Sequence, residues 1–273
     1  MNSLTAMTGR LLQRGLTGTA SLLLGVAIFE LIQPLVADSL GGPEGPLVFL
    51  ERLPPAFQAL LQTRPEFIMA SGLAGYLSLG FTHPLFYILI FTAVVAFITR
   101  SLAGEMERGT IQIALSRPIS RLRVYAARVA GALAIIAAIA AIGPLGMMAG
   151  IALARPEGTI EYRYLITTSV AMALLIWAVA GLTLLGSAAA STAGRAVGWA
   201  AAWLIVFYFV DYFAALWSVL EPLEPLSIFT YYEPAEAMVN GTLPVENVAI
   251  LSLLGLGGMI GGLVVFVRRD LPV

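Results

Sequence analysis

Two carboxylates, Glu30 and Asp211, stand inside otherwise apolar stretches, and a second pair, Glu105 and Glu107, sits in the most polar segment of the chain, RSLAGEMERGTIQIALSRPISRLRVYAAR from Arg100 to Arg128. An ionisable group at membrane depth costs several kcal/mol, roughly 2.5 or more, so such residues mark places that bind a cation, pass a proton or pair with a neighbour. Glu30 and Asp211 are therefore candidates for a translocation path or for an ion-gradient-driven carrier; the plainer reading is that each reaches the interface or hydrogen-bonds a neighbouring helix. His83, before Pro84, is either a pH-sensitive group or a polar anchor. No nucleophile, general base and orienting group occur together, so covalent catalysis has no support. All fifteen basic residues are arginine, and a phosphate-cradling G-x-x-x-x-G-K-[ST] loop needs a lysine, so no such ATP site exists in this chain. Cysteine is absent and histidine occurs once, which excludes disulfides and thiolate metal sites and gives no basis for an intrinsic metal centre.

These residues must be positioned by membrane helices. Hydrophobic residues make up 59% of the 273 and charged residues 11%, with mean hydropathy +0.90, far from the composition of a soluble domain. The fold class implied is an all-α polytopic membrane protein forming a single transmembrane domain over 1–273. Spanning takes roughly 20 apolar residues; the runs at about 16–36, 80–99, 127–153, 165–190, 197–219 and 247–267 qualify as six transmembrane helices. Over residues 1–15, Leu4, Met7, Leu11 and Leu12 fall on one helical face against Arg10 and Arg14, which predicts an amphipathic interfacial helix. That N-terminus lacks the apolar core and small-residue site of a secretory signal, so no cleavage is expected.

Six spans put both termini on one side. Arg10, Arg14, Arg100, Arg108, Arg117, Arg121, Arg123, Arg128, Arg195, Arg268 and Arg269 fall there, against Arg52, Arg64, Arg155 and Arg163 on the other. The positive-inside rule then makes both termini cytoplasmic, in a multi-pass cell inner (cytoplasmic) membrane protein. The apolar run 67–81 is short and holds three glycines, which suits an outer helix or a re-entrant segment better than a span. Gly143-Pro144 predicts a kink in the third span. Small residues at 186–196, and Gly257 and Gly261 in the last span, predict close helix approach. Asn240-Gly241-Thr242 fits a glycosylation acceptor, a three-residue pattern that also arises by chance. Tyr231, Tyr232, Phe229 and Trp217 suit an interfacial aromatic belt or contact with an amphipathic cargo.

The 100–126 loop has its own pattern. Gly104 to Thr110 can turn the chain, Ile111, Ile113, Ala114 and Leu115 can present a short apolar face, and Ser116-Arg117-Pro118 ends it, with Pro118 placed to start the next helix and Ser116 or Ser120 to cap it. A solvated, charge-rich turn is the simplest account. The combination nevertheless resembles the permeases of the type-2 ABC exporter superfamily, whose first cytoplasmic loop commonly runs G-E-x-E-x-G-T, then a Leu-rich stretch, then S-x-P-I-S-R; the matching positions are Gly104, Glu105, Glu107, Gly109, Thr110, Leu115, Ser116, Pro118, Ile119, Ser120 and Arg121. The six-span layout and the ending Phe266-Val267-Arg268-Arg269-Asp270-Leu271 are also similar to that family.

The resemblance implies a non-catalytic transmembrane subunit that pairs with a second permease copy or a homologous permease and with two separate ATPase subunits, in contact with membrane lipid and not with nucleic acid. No cofactor would be bound by this chain; ATP and Mg would sit on the partner ATPase. The first loop would be a coupling helix, with Glu105, Glu107, Arg108, Thr110 and the apolar face through Leu115 as its docking surface, and the interfacial helix would be a second contact. The segments 67–81 and 222–245 would form an outer gate and lid. The apolar spans lean toward export of a hydrophobic or amphipathic substrate. Two other classes fit the residues as well: an ion-gradient-driven secondary transporter using Glu30 and Asp211, and a non-transporting membrane scaffold whose loop recruits a soluble protein.

Overall fold

Lipid offers no hydrogen bonds to an exposed peptide group, so a chain this apolar has to close its backbone bonds within helices. The computed structural model describes residues 3–39, 70–116 and 119–269, with residues 52, 54, 56, 57 and 67 between, and among these there is no strand. Among the described residues six helices are long and apolar enough to cross a membrane: α2 (Leu16–Ser39), α4 (Pro84–Ser101), α7 (Arg121–Ala154), α8 (Tyr162–Ala189), α9 (Ala193–Leu216) and α11 (Val245–Arg268). The shorter helices among the described residues are α1 (Ser3–Gln13), α3 (Gly72–Ser78), α5 (Ala103–Glu107), α6 (Thr110–Leu115) and α10 (Pro234–Val239), with 3-10 turns at Leu79–Thr82 and Glu221–Leu226.

The second span starts at Pro84, later than the apolar run alone suggests. His83 is extended, at φ −65° and ψ 134°, because the residue before a proline is pushed out of the helical region. Its imidazole Nδ1 accepts the Leu85 N–H at 3.1 Å, so His83 serves as the cap of α4. The apolar run before it does not span. Its described part forms α3 and the 3-10 turn, in which Leu77 and Phe81 are completely buried.

The third span begins at Arg121, inside the stretch expected to be loop, and Ser120 caps it by accepting the Arg123 N–H at 3.3 Å. Pro118 lies outside the described residues. Helix α7 continues through Gly143-Pro144 to Ala154. One turn and two turns later, Gly146 and Gly150 meet the Ala27 and Leu31 carbonyls of α2 so closely that a Cβ would come within 2.4 and 2.3 Å of them. Helix α1 lies along the other end of α7, with Leu11 buried, Leu4, Met7 and Leu12 against the core, and the Thr8 hydroxyl 3.3 Å from the Ala127 carbonyl oxygen that it can donate to.

Helix α8 is the central post, touching α4, α7, α9, α10 and α11. Its seam with α11 runs through Gly181 on one side and Gly255, Gly258 and Gly262 on the other. Gly257 meets nothing within 4 Å and Gly261 only the Leu185 side chain, so the seam uses a face rotated from the one expected from sequence. The reason is that α11 is apolar on every side, which leaves no polar stripe to set its phase. The small-residue stretch 186–196 divides in the same way, ending α8, turning, and opening α9 at Ala193.

The paired glycines give a direct check. A Cβ on Gly258 would lie 2.3 Å from the Gly181 carbonyl carbon, where neither backbone can yield. Gly258→Val is expected to destabilise the protein by at least about 1–3 kcal/mol, the usual cost of overpacking, while Gly257→Val leaves the thermal unfolding midpoint of the detergent-purified protein within a degree or so of the parent. Equal midpoints for the two variants would contradict this packing.

Candidate coupling site

The polar loop forms a compact hairpin of two helical turns. Helix α4 ends at Ser101, Leu102 is fully buried, and α5 follows at once, its first N–H, that of Ala103, donating to the Ser187 hydroxyl at 3.2 Å. Gly104 is buried, and a Cβ there would lie 3.3 Å from the Arg108 guanidinium and in ordinary contact with the Thr99 carbonyl and Ala193, at 3.4 and 3.6 Å. The chain reverses at Gly109, whose φ of 68° disfavours any side chain, and α6 begins with Thr110, whose hydroxyl donates to the Glu105 carbonyl at 3.3 Å.

Glu105 does not face outward. It is 6% exposed, and its two carboxylate oxygens are divided between arginines from two other elements. Arg128, two turns into α7 and 1% exposed, donates through Nη2 to Oε2 of Glu105, through Nε to the Ser101 carbonyl at 3.0 Å and through Nη1 to the Val124 carbonyl. Arg14, just after α1, reaches Oε1 of Glu105 at 2.9 Å from a side chain that is 65% exposed. The buried guanidinium therefore has both a counter-charge and carbonyl acceptors, as burial of a charge requires. One carboxylate thus ties α1, α5 and α7 together.

Glu107 is exposed, and its Oε2 accepts the N–H of Ala193, the first residue of α9, at 2.9 Å. Thr192 caps the same helix by accepting the Arg195 N–H at 3.3 Å. A carboxylate at a helix N-terminus satisfies an open N–H and opposes the positive end of the dipole, typically for about 0.3–1 kcal/mol. The acid pair of the motif therefore faces in two directions: Glu105 holds the hairpin to α7 and α1, and Glu107 holds it to α9.

Of the described side chains here, Glu107, Arg108, Gln112 and Ser116 are exposed on the turn and on α6, while Ile111 points inward at 1% exposure. The expected docking surface therefore loses Glu105 and Ile111 to the interior, for the reason that each completes a buried contact of the hairpin. The side chains of Ile113, Ala114 and Leu115 lie outside the described residues. Other arginines at this end bind helix termini. Arg121 donates to the Val267 and Arg269 carbonyls at 2.9 and 2.7 Å, and Arg269 donates to the Ala188 and Ala190 carbonyls at 2.8 and 2.7 Å.

Glu30 and Asp211 sit away from the hairpin and against different neighbours. Glu30 is fully buried on α2 beside Gly80 of the 3-10 turn, and neither of its oxygens has a hydrogen-bond partner among the described residues. Tyr232, close enough to feel the Glu30 charge, is buried and donates to the Phe81 carbonyl at 3.3 Å; burial, reinforced by that charge, holds its phenol well above the ordinary tyrosine value. Asp211, on α9, accepts the Thr230 hydroxyl at 3.0 Å. Among the described residues no cluster of His, Cys, Asp and Glu could hold a metal ion.

The sequence profile of the ABC-2 family transporter proteins matches residues 19–271, which takes in all six long helices apart from the first turn of α2. This chain belongs to the ABC-2 transporter family. It is thus a multi-pass membrane component of an ABC transporter, the permease side of a system whose members associate with ABC ATPase subunits. A search of curated proteins returned no match. The residues that sequence reasoning missed in this ABC-2 protein are Arg14 and Arg128 as partners of Glu105, and Ala193 as the partner of Glu107. The available signal was Arg128 itself: an arginine so close to an apolar run calls for a counter-charge, and the nearest acids lie in the preceding loop.

Removing one member of a buried pair strands the other. Arg128→Met is expected to lower stability by about 3–5 kcal/mol, whereas Arg14→Ala, which breaks only an exposed contact, costs about 1 kcal/mol or less. Thermal unfolding of the two variants tests the ranking, and an Arg128→Met protein as stable as the parent would show that Glu105 is held by something else.

Proposed function

We propose that this protein is the permease of an ATP-driven exporter in which separate ATPase subunits, holding the ATP and Mg, dock on the hairpin of the 100–126 loop. The observation that carries the reading is the double anchoring of that hairpin. An element pushed from outside moves others only if it is fastened to them, and here Glu105 fastens it to α7 and α1 while Glu107 fastens it to α9. Arg108, Gln112 and Ser116 are the exposed positions that meet the ATPase. The arginine-rich end, with both termini, is the cytoplasmic side.

Two permease copies and two ATPases make up the complex, and the copies meet through the weakly covered helix α9. Of its 24 residues only Ala196, Ala200 and Ala214 are buried, and Trp199, Ile205, Val206 and Phe209 lie exposed on its surface. Beside it a groove of about 380 Å³ runs between α4 and α9. ATP binding moves the hairpin, α9 follows through Glu107, and the groove opens toward the far side for a hydrophobic or amphipathic substrate.

Reversing the surface charge at Arg108 and adding a second acid separates docking from folding. Arg108→Glu with Gln112→Glu is expected to weaken retention of the ATPase during purification about tenfold or more, roughly 1.4 kcal/mol, while lowering the unfolding midpoint far less than Arg128→Met does, since both positions are exposed. Full coupled transport by that variant would overturn the docking assignment.

A further inference from the structure

Glu30 sits where the protein offers it acceptors and no donor. On α2 it lies between Ala27 and Leu31, whose carbonyls pack against Gly146 and Gly150 of α7, so the helix is clamped on both sides of it. Its carboxyl presses on Gly80 of the 3-10 turn, where a Cβ would come within 2.9 Å of Oε2 and 3.4 Å of Oε1. The side chain is fully buried, and neither oxygen has a hydrogen-bond partner among the described residues. The hydroxyls around the turn are used elsewhere: Ser78, Thr82 and Tyr232 donate to the Gly75, Leu79 and Phe81 carbonyls at 2.7, 3.3 and 3.3 Å. Pro34, four residues on, has no N–H to give to the Glu30 main-chain carbonyl.

Among the described residues no fixed positive charge faces it either. The titratable groups near this level of the elements packed on α2 are Tyr76 on α3, His83 and Tyr87 at the start of α4, and Tyr232 before α10. His83 turns its ring to Phe29, at 5.2 Å, and its Nδ1 to the Leu85 N–H. The basic groups are distant: Arg100 meets Gly15, about four turns before Glu30, and Arg121, Arg123, Tyr125 and Arg128 stand about five turns or more before Gly146. Asp38 and Arg155, at the other ends of α2 and α7, are exposed. A carboxylate ion with neither donor nor counter-charge is far costlier at membrane depth than a neutral carboxylic acid.

We propose that Glu30 is a proton-binding site, occupied while the 3-10 turn covers it, and that its proton passes to water when the turn lifts from α2. The O–H bond breaks, and its electron pair stays on the carboxylate. Because α2 is clamped at Ala27 and Leu31, the turn is the element that moves. Lifting is thereby tied to pH: the uncovered carboxyl ionises above its ordinary value of about 4.3, while the covered one has to keep its proton. Each unit of rising pH then favours the uncovered form by up to about tenfold, for as long as the covered form stays protonated. Glu30 lies away from the hairpin, so the site does not depend on ATPase docking.

Infrared spectroscopy of the unaltered chain, in a detergent without ester groups, reads the proton directly. At neutral pH the carbonyl stretch of a protonated carboxylic acid should be present, and Glu30→Gln, which keeps the shape and has no proton to lose, should lack it. A band missing from the unaltered chain, as a hydrated and ionised Glu30 would give, or one that survives in Glu30→Gln, would overturn the proposal. The movement is read from two spin labels on a chain without native cysteine, at the exposed positions Ile32→Cys on α2 and Ala70→Cys before α3, in lipid nanodiscs. Raising the pH from about 5 to about 8 should enlarge the longer-distance population about tenfold or more, and Glu30→Gln should remove that dependence. A distance distribution that ignores pH in the unaltered protein, or responds equally in Glu30→Gln, would contradict the coupling.

Discussion

Everything at the arginine-rich end depends on one carboxylate shared by two arginines. Glu105 neutralises Arg128, which would otherwise be an unpaired charge buried in the second turn of a membrane helix, and it also accepts Arg14 from the exposed surface. The two contacts differ in energetic weight. The Arg128 contact holds the short hairpin in one orientation against α7, whereas the Arg14 contact adds little energy and fastens α1 to the same point. Without this node, a loop between two spans would be an ordinary solvated turn.

From that node the structure divides into a stiff part and a thinly covered part. The stiff part is α8 with α11 and α2 with α7, two pairs whose glycines let backbones touch, so that neither can slide without a clash. Helix α9 is the more thinly covered one: it contributes three alanines to the interior, Glu107 ties its N-terminus to the hairpin, and its far half is tied to the segment after it, where the Phe207 carbonyl accepts from Ser227 and Asp211 accepts from Thr230. A thinly covered helix that is tied at its N-terminus to the hairpin and lines a groove along its length is suited to carry a small displacement of the hairpin to the groove.

The spans were legible because apolar runs of membrane length admit hardly any other structure. The hairpin was legible through Gly104, Gly109 and its flanking acids. What escaped was direction. Charges in a loop read as solvent-facing, yet Glu105 is spoken for by an arginine in the next span, a long-range pairing that local pattern cannot reveal. The glycine face of α11 was placed out of register for a related reason, since an all-round apolar helix carries no phase mark. Arginines counted as orientation signals turned out also to be caps, Arg121 and Arg269 each closing carbonyls of a helix end. Glu30 and Asp211 stood out correctly as carboxylates of the apolar helices, but their neighbours, the Gly80 turn and Thr230, come from segments distant in sequence.

The central claim is that motion entering at the hairpin reaches α9 through Glu107. The chain has no cysteine, so spin labels can be placed without background at two exposed positions, Leu122→Cys near the start of α7 and Val219→Cys beyond the far end of α9. The distance between them, measured in the reconstituted complex with and without ATP, should shift in the otherwise unaltered protein and should stop shifting in Glu107→Ala while the ATPase remains bound. An undiminished ATP-dependent shift in Glu107→Ala would contradict the account.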